Sequence, residues 1–235
     1  MTYKIRFYLA LAIIALGLLA ASVAVQKLGG WRYTAHRLHT IEAWPTYTQR
    51  LSQLELLPID TGAVVFLGDS HVAFGEWHEW LPNISVANRG IPGEGIEGLC
   101  AFAKTLDLSA ASVIFVQIGT NDLLFHEPEK VISFYKGMVA QMDQLDAQVV
   151  YCTLPGVNNE VRWTGIEPDD IDLVNALILS LKEKGQPVID LAAALGTHSG
   201  VLPKGLTDDG VHLRGEGYKV WNQEFDHYLN RVVMH

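Results

Sequence analysis

Three residues that together could do nucleophilic chemistry stand at turn-like positions of this chain. Ser70 follows a short apolar run, Val64-Val65-Phe66-Leu67, and the pair Gly68-Asp69. Asp209 and His212 stand three residues apart in Asp208-Asp209-Gly210-Val211-His212. A serine hydroxyl is a weak nucleophile until a base takes its proton. His212 is the candidate base, with its other ring nitrogen held by Asp209, an acid within one turn of it. Asp208 is the rival acid and fits that register less well. Two more polar turns hold Gly90, in Asn88-Arg89-Gly90, and Asn121, in Gly119-Thr120-Asn121-Asp122. Taken singly, Gly90 and Asn121 read as turn residues and Ser70 as a helix cap. His71 adjoins Ser70, but neighbouring side chains point apart, so it is assigned to a pocket wall or a structural role. His126, His198 and His227 read as surface residues, and Asp69 and Asp122 as loop braces. Arg89 is open between an anionic substrate group and solvent.

Such residues need a frame that brings them to one place. Residues 63–67 are too few for a helix and read as a strand buried on both faces. Gly68 lets the chain turn at its end. Further strands are expected at 84–87, 112–118, 149–154 and 187–191, with helices at 76–81, 96–106, 128–145, 169–184 and 215–232. Residues 88–95, rich in glycine and with one proline, are expected as a shaped loop. This alternation predicts a parallel sheet with helices on both faces. The expected fold class is a flavodoxin-like three-layer α/β/α domain with strand order 2-1-3-4-5. Ser70, Gly90, Asn121 and the Asp209/His212 pair then follow the carboxyl ends of strands one, two, three and five, which share one rim. Cys100 and Cys152 read as buried small residues, with a disulfide left open.

Composition narrows the partners. Apolar residues make up 49% and charged residues 18% of 235, enough for a packed core. Residues 1–41 hold five basic groups and no acid, so the remainder is strongly acidic and the chain has a net charge of −9. That excludes nucleic acid as a partner. No zinc-type cluster or phosphate loop occurs, so neither metal nor cofactor is expected.

Residues 7–25 are nineteen positions without a charge. As a helix they rise about 28 Å, close to bilayer thickness. A transmembrane anchor is expected, with a signal peptide cut near Ser22-Val23-Ala24 as the alternative. Lys27, Arg32 and Arg37 offset Lys4 and Arg6 in the charge rule for orientation. The short basic tail before the span places the body outside the cytoplasm. The chain thus divides into an anchor or signal peptide (1–27), a linker and lead-in (28–62) and a catalytic domain (63–235). In the lead-in, Ile41, Trp44, Tyr47, Leu51, Leu54 and Leu57 recur at helical spacing, as one amphipathic helix or two split at Pro45.

Four blocks in order resemble the SGNH (GDSL-like) lipase and acylhydrolase family over about residues 60–220. They are Gly68-Asp69-Ser70, Gly90 in its Asn88-Arg89-Gly90 context, Gly119-Thr120-Asn121-Asp122, and Asp209-Gly210-Val211-His212. The lead-in and the residues before Ser70 look most like the platelet-activating-factor acetylhydrolase-like branch. The resemblance implies an esterase acting on a lipid, acetyl or other acyl ester. It assigns Ser70, Asp209 and His212 to catalysis, and the oxyanion hole to the N–H groups of Ser70 and Gly90 and the side-chain amide of Asn121. The Gly-x-Ser-x-Gly pentapeptide of α/β-hydrolases is absent, because Val72 holds its last position. Two other readings stay open: acyl transfer to a sugar hydroxyl, and a silent membrane-tethered binding domain.

Overall fold

The computed structural model describes residues 3–27 and 45–233. The chain divides into two compact units, residues 1–40 and 41–235.

In the first unit α1 spans Tyr3–Lys27. Among the described residues no helix is long and apolar enough to cross a membrane. The transmembrane helix expected from the sequence is therefore not found among the described residues. Residues 28–44, with Ile41 and Trp44 of the lead-in, lie outside the described residues.

The second unit begins with α2, Pro45–Leu54. Proline suits a first helical position, where no N–H is needed. Within the described residues the lead-in holds this helix, which buries Leu54 against Ile91 and Phe102. Leu57 lies beyond it and is exposed.

Five parallel strands follow: β1 (Val64–Gly68), β2 (Val86–Gly90), β3 (Val113–Gln117), β4 (Gln148–Cys152) and β5 (Val188–Ile189). Their order is β2-β1-β3-β4-β5, as expected. All five residues of β1 are buried, and their alternation feeds two separate layers. Val65 and Leu67 pack with Ile114, Val116, Tyr135 and Met138 beneath α5 (Ile96–Ala103), α6 (Pro128–Met142) and α7 (Pro168–Ser180). Val64 and Phe66 pack with Phe115, Trp77, Trp221 and Phe225 on the other face. That face carries α3 (Ser70–Ala73), α4 (Trp77–Trp80), α8 (Leu191–Ala194) and α9 (Gly215–Val233). The Trp77 ring stacks on Phe66 at 4.7 Å, and its Nε1–H donates to the Val72 carbonyl at 2.8 Å. This ties the segment after Ser70 to the core.

Strand two corrects the sequence reading. It was expected at 84–87 with a loop from residue 88, yet Asn88, Arg89 and Gly90 are its last three residues. Asn88 and Arg89 hide the strand from a hydropathy pattern, and an edge strand tolerates them because one side is unpaired. Val64 donates to Ser85, and Ile91 donates to Gly68. Odd-numbered residues of β2 therefore face β1, while the backbone groups of Asn88 and Gly90 face the open edge. Arg89 reaches neither substrate nor bulk solvent: its Nη2 donates to the carbonyls of Leu57 at 3.0 Å and Pro58 at 2.8 Å. Cys100 and Cys152 are both free.

Candidate active site

Ser70 opens α3 at the carboxyl end of the central strand. Gly68 makes the turn possible, since a Cβ there would lie 2.1 Å from the Gln117 carbonyl oxygen. Asp69 caps the helix, its Oδ1 accepting the His71 N–H at 2.9 Å. As the first helical residue, Ser70 has an N–H with no acceptor within the helix. Its side chain points to the segment before α9.

His212 meets it there. Ser70 Oγ lies 2.9 Å from His212 Nε2, and His212 Nδ1 lies 2.6 Å from Asp209 Oδ2. The other Asp209 oxygen accepts the N–H groups of Val211 at 2.9 Å and His212 at 2.8 Å, closing a small turn around the carboxylate. Partial burial works against the Asp209 charge. The hydrogen bond from His212 and those two N–H groups outweigh it and bring its pKa down to about 2. At neutral pH Asp209 is thus an acceptor only, which places the imidazole proton on Nδ1 and leaves Nε2 free to take one from Ser70. Asp208 is excluded as the partner: its side chain is 81% exposed and pairs with Arg214 at 3.5 Å.

Asn121 stands at the end of β3, before the 3₁₀ turn Asp122–Leu124. Its Nδ2 donates to the Glu94 carbonyl at 2.9 Å. An amide has two N–H donors, so one fixes the side chain and the other is left over. Asp122 behaves as the brace expected, both its oxygens lying 3.1 Å from the Ile96 N–H. Burial, with help from the Asp69 and Glu94 charges and against the Ile96 N–H, pushes its pKa up to about 7.

Gly90 is not brought together with these groups, and its expected place in the oxyanion hole is corrected. Its N–H faces the open edge and donates to Asn88 Oδ1 at 3.0 Å. Its role is clearance instead, because a Cβ would stand 2.3 Å from the Ala73 backbone nitrogen of the nucleophile helix. The next turn offers another backbone N–H, that of Gly93. Glu94 N–H donates to the Ile91 carbonyl at 3.1 Å, so residues 91–94 form a β-turn. Pro92 precedes Gly93, whose φ of +84° is the signature of a type II turn. The N–H at that third position is not used by the turn, and Glu94, the next residue, receives the Asn121 amide. The Pro-Gly dipeptide was the legible signal.

The other histidines separate cleanly. His71 is buried, while His126, His198 and His227 are exposed. The rim of the site includes Phe74, 52% exposed, with its ring 5.3 Å from that of His212.

A parallel α/β/α sheet carrying a linked serine, histidine and aspartate on its carboxyl rim defines a class, the flavodoxin-like hydrolase. The comparisons place the chain within that class. The GDSL-like lipase/acylhydrolase family model matches residues 66–220. The chain belongs to that family and is a hydrolase of ester bonds. Among solved structures it resembles a protein of Streptococcus pneumonia provisionally named a platelet activating factor, at 20% identity and TM-score 0.72, covering 83% of this chain and 99% of that one. A GDSL-like lipase of Bacteroides thetaiotaomicron matches at 18% identity and TM-score 0.66, covering 79% and 98%. An acetyl xylan esterase, AlAXEase, matches at 20% and 0.60, covering 71% and 99%. At these identities the likeness is one of fold. No curated protein sequence matches the chain.

Proposed function

We propose that the domain is a serine esterase that cleaves a carboxylic ester through an acyl-serine intermediate. The observation carrying this is the continuous array from Ser70 Oγ through the His212 ring to Asp209. Ser70 Oγ attacks the ester carbonyl carbon while its proton passes to His212 Nε2. The carbonyl oxygen becomes an oxyanion, which takes hydrogen bonds from the Ser70 N–H, the Gly93 N–H and the spare Asn121 N–H. Collapse breaks the ester C–O bond, and the leaving alcohol takes the proton from His212. Water then attacks the acyl carbon as its proton passes to His212; the bond to Ser70 Oγ breaks, Oγ takes that proton back, and the acid leaves. Asp209 stabilises the imidazolium at both stages.

Hydrolysis is favoured over transfer to a sugar because the site is wet: the side chains of His212 and Asp209 are 37% and 40% exposed. An intact array argues against a silent binding domain. Phe74 offers the substrate an apolar surface beside the base. The test is turnover of p-nitrophenyl esters of rising acyl length, with and without a sugar acceptor, by the full chain and by Ser70→Ala. Loss of activity in Ser70→Ala supports the reading, and undiminished activity overturns it.

Location is a separate proposal and rests on the sequence. The nineteen uncharged residues 7–25 and the basic tail before them hold the domain at a membrane, outside the cytoplasm. Alkaline carbonate washing of native membranes should leave the full chain in the pellet, and a chain beginning at Trp31 should be soluble and active. Release of the full chain by the wash overturns the anchor.

A further inference from the structure

The lead-in helix α2 does more than cover the edge of the sheet. Three of its side chains, Tyr47, Arg50 and Leu54, reach residues 88–94, the segment that carries the Gly93 N–H. Arg50 donates from Nε to the Gly90 carbonyl at 3.1 Å and from Nη2 to the Asn88 carbonyl at 3.2 Å, two groups at the open edge of β2. Leu54, fully buried, packs on Ile91, the first residue of the 91–94 turn. Tyr47 OH donates to Glu94 Oε2 at 2.9 Å, at the last residue of that turn. The other Glu94 oxygen accepts the Gly95 N–H at 3.0 Å. Its backbone carbonyl is the acceptor that orients the Asn121 amide. The turn is therefore gripped at both ends by a helix some forty residues away in sequence. One step separates Tyr47 from the group that aims Asn121.

We propose that α2 positions the oxyanion site, with Tyr47 and Arg50 as positioning residues that fix the turn at Gly93 and Glu94 and, through it, the Asn121 amide. Neither touches substrate. A donor to an oxyanion stabilises charge only if it is held where that charge develops, so a turn that is free to shift lowers the rate of the chemical step more than substrate binding. The segment following residues 1–40 thus bears directly on the chemistry of the domain. This rests on the esterase reading above, and the experiment separates the two.

Tyr47→Phe removes one hydroxyl and leaves the ring. In the full chain it is expected to lower kcat about tenfold with KM little changed, as a slight misplacement of a catalytic group does. In an Asn121→Ala background, where the amide is already gone, the same change should cost markedly less. Arg50→Lys, which cannot serve two carbonyls in fork geometry, should repeat the pattern. A role in stability alone would lower the melting temperature and leave kcat per folded molecule intact, and that result overturns the proposal. Equal losses from Tyr47→Phe in both backgrounds also overturn it. Ser70→Ala is the parallel control: if it retained full activity, the esterase reading itself would fall, whatever Tyr47→Phe did.

Discussion

The Nε2 of His71 lies 3.0 Å from the carbonyl oxygen of Val211, the residue that precedes the proposed base His212. Its Nδ1 lies 3.2 Å from Asp69 Oδ1, and its own carbonyl accepts the Tyr218 hydroxyl at 2.9 Å. Both ring nitrogens thus face acceptors, and only the doubly protonated ring satisfies both. Burial alone would depress the His71 pKa. Asp69, the Val211 carbonyl and the Asp209 charge together outweigh that, and the pKa rises. A second histidine–aspartate pair, distinct from His212 and Asp209, pins α3 to the loop before α9.

This pair makes stability depend on pH in a stated direction. A histidine whose pKa is raised by folding contributes fully below its unfolded value of about 6.5, and the contribution is lost as pH rises through the folded value. Thermal melts from pH 6 upward should therefore show a falling midpoint. His71→Gln should flatten that slope and destabilise the domain by about 1–3 kcal/mol at pH 6, the cost of a buried acceptor left without its donor. An unchanged slope in the variant would remove His71 as its cause.

The triad register is tested by neighbouring acids. Asp209→Asn keeps the shape but leaves His212 in the wrong tautomer, and the loss in kcat should approach about 10⁴. Asp208→Asn should be nearly silent, because its side chain pairs with Arg214 at the surface, where ion pairs contribute little. Steady-state kinetics on both variants decide it, and a crippled Asp208→Asn with an active Asp209→Asn would refute the register.

The fold was legible where burial governs the residue types. β1 and β3 are apolar on both faces because both faces are covered, so their runs stand out. The array of Ser70, His212 and Asp209 that the structure brings together was legible because a proposed nucleophile, base and acid are limited to those types. β2 was not: it lies at the edge, and its Asn88 and Arg89 side chains serve the backbone around them, so strand reads as loop. The resemblance assigned Gly90 to the oxyanion hole, and nothing local opposed it, since a glycine in a loop and a glycine closing an edge strand look alike in sequence. The hold of Tyr47 on Glu94 joins residues 47 apart, and no local pattern reports such a contact.

Asp122 adds a pH effect in a lower window. Its pKa rises on folding from 3.8 to about 7, so between those values the folded state holds a proton that the unfolded state has released. Stability should fall as pH rises through that window, by something on the order of 4 kcal/mol if the whole shift is expressed. Asp209 acts in the opposite sense and only below about pH 4, where its carboxylate becomes protonated. Denaturant unfolding at pH 4.5 and 7.5 should show the decline in the native chain and a smaller one in Asp122→Asn. An equal decline in both would assign it to another group.

Gly90→Ala and Asn121→Ala should fail in different ways, because one residue gives clearance and the other a donor. The Cβ added at Gly90 meets the backbone of Ala73 and Val72, which cannot give way without moving α3 and Ser70 with it. That variant should lose reaction with a fluorophosphonate along with ester turnover, and its melting temperature should drop. Asn121→Ala removes an amide, and with it one hydrogen bond to the Glu94 carbonyl, and adds no atom that clashes. Its kcat should fall by about 10²–10³, the usual cost of one oxyanion donor, with KM little changed. Ser70 should still react with the fluorophosphonate, more slowly, since nucleophile and base remain linked. Should Asn121→Ala instead raise KM at constant kcat, the amide binds ground state and transition state alike, and the oxyanion rests on backbone donors alone. Should Gly90→Ala fold normally and lose only kcat, the Gly90 N–H returns as an oxyanion donor and the role given to Gly93 fails.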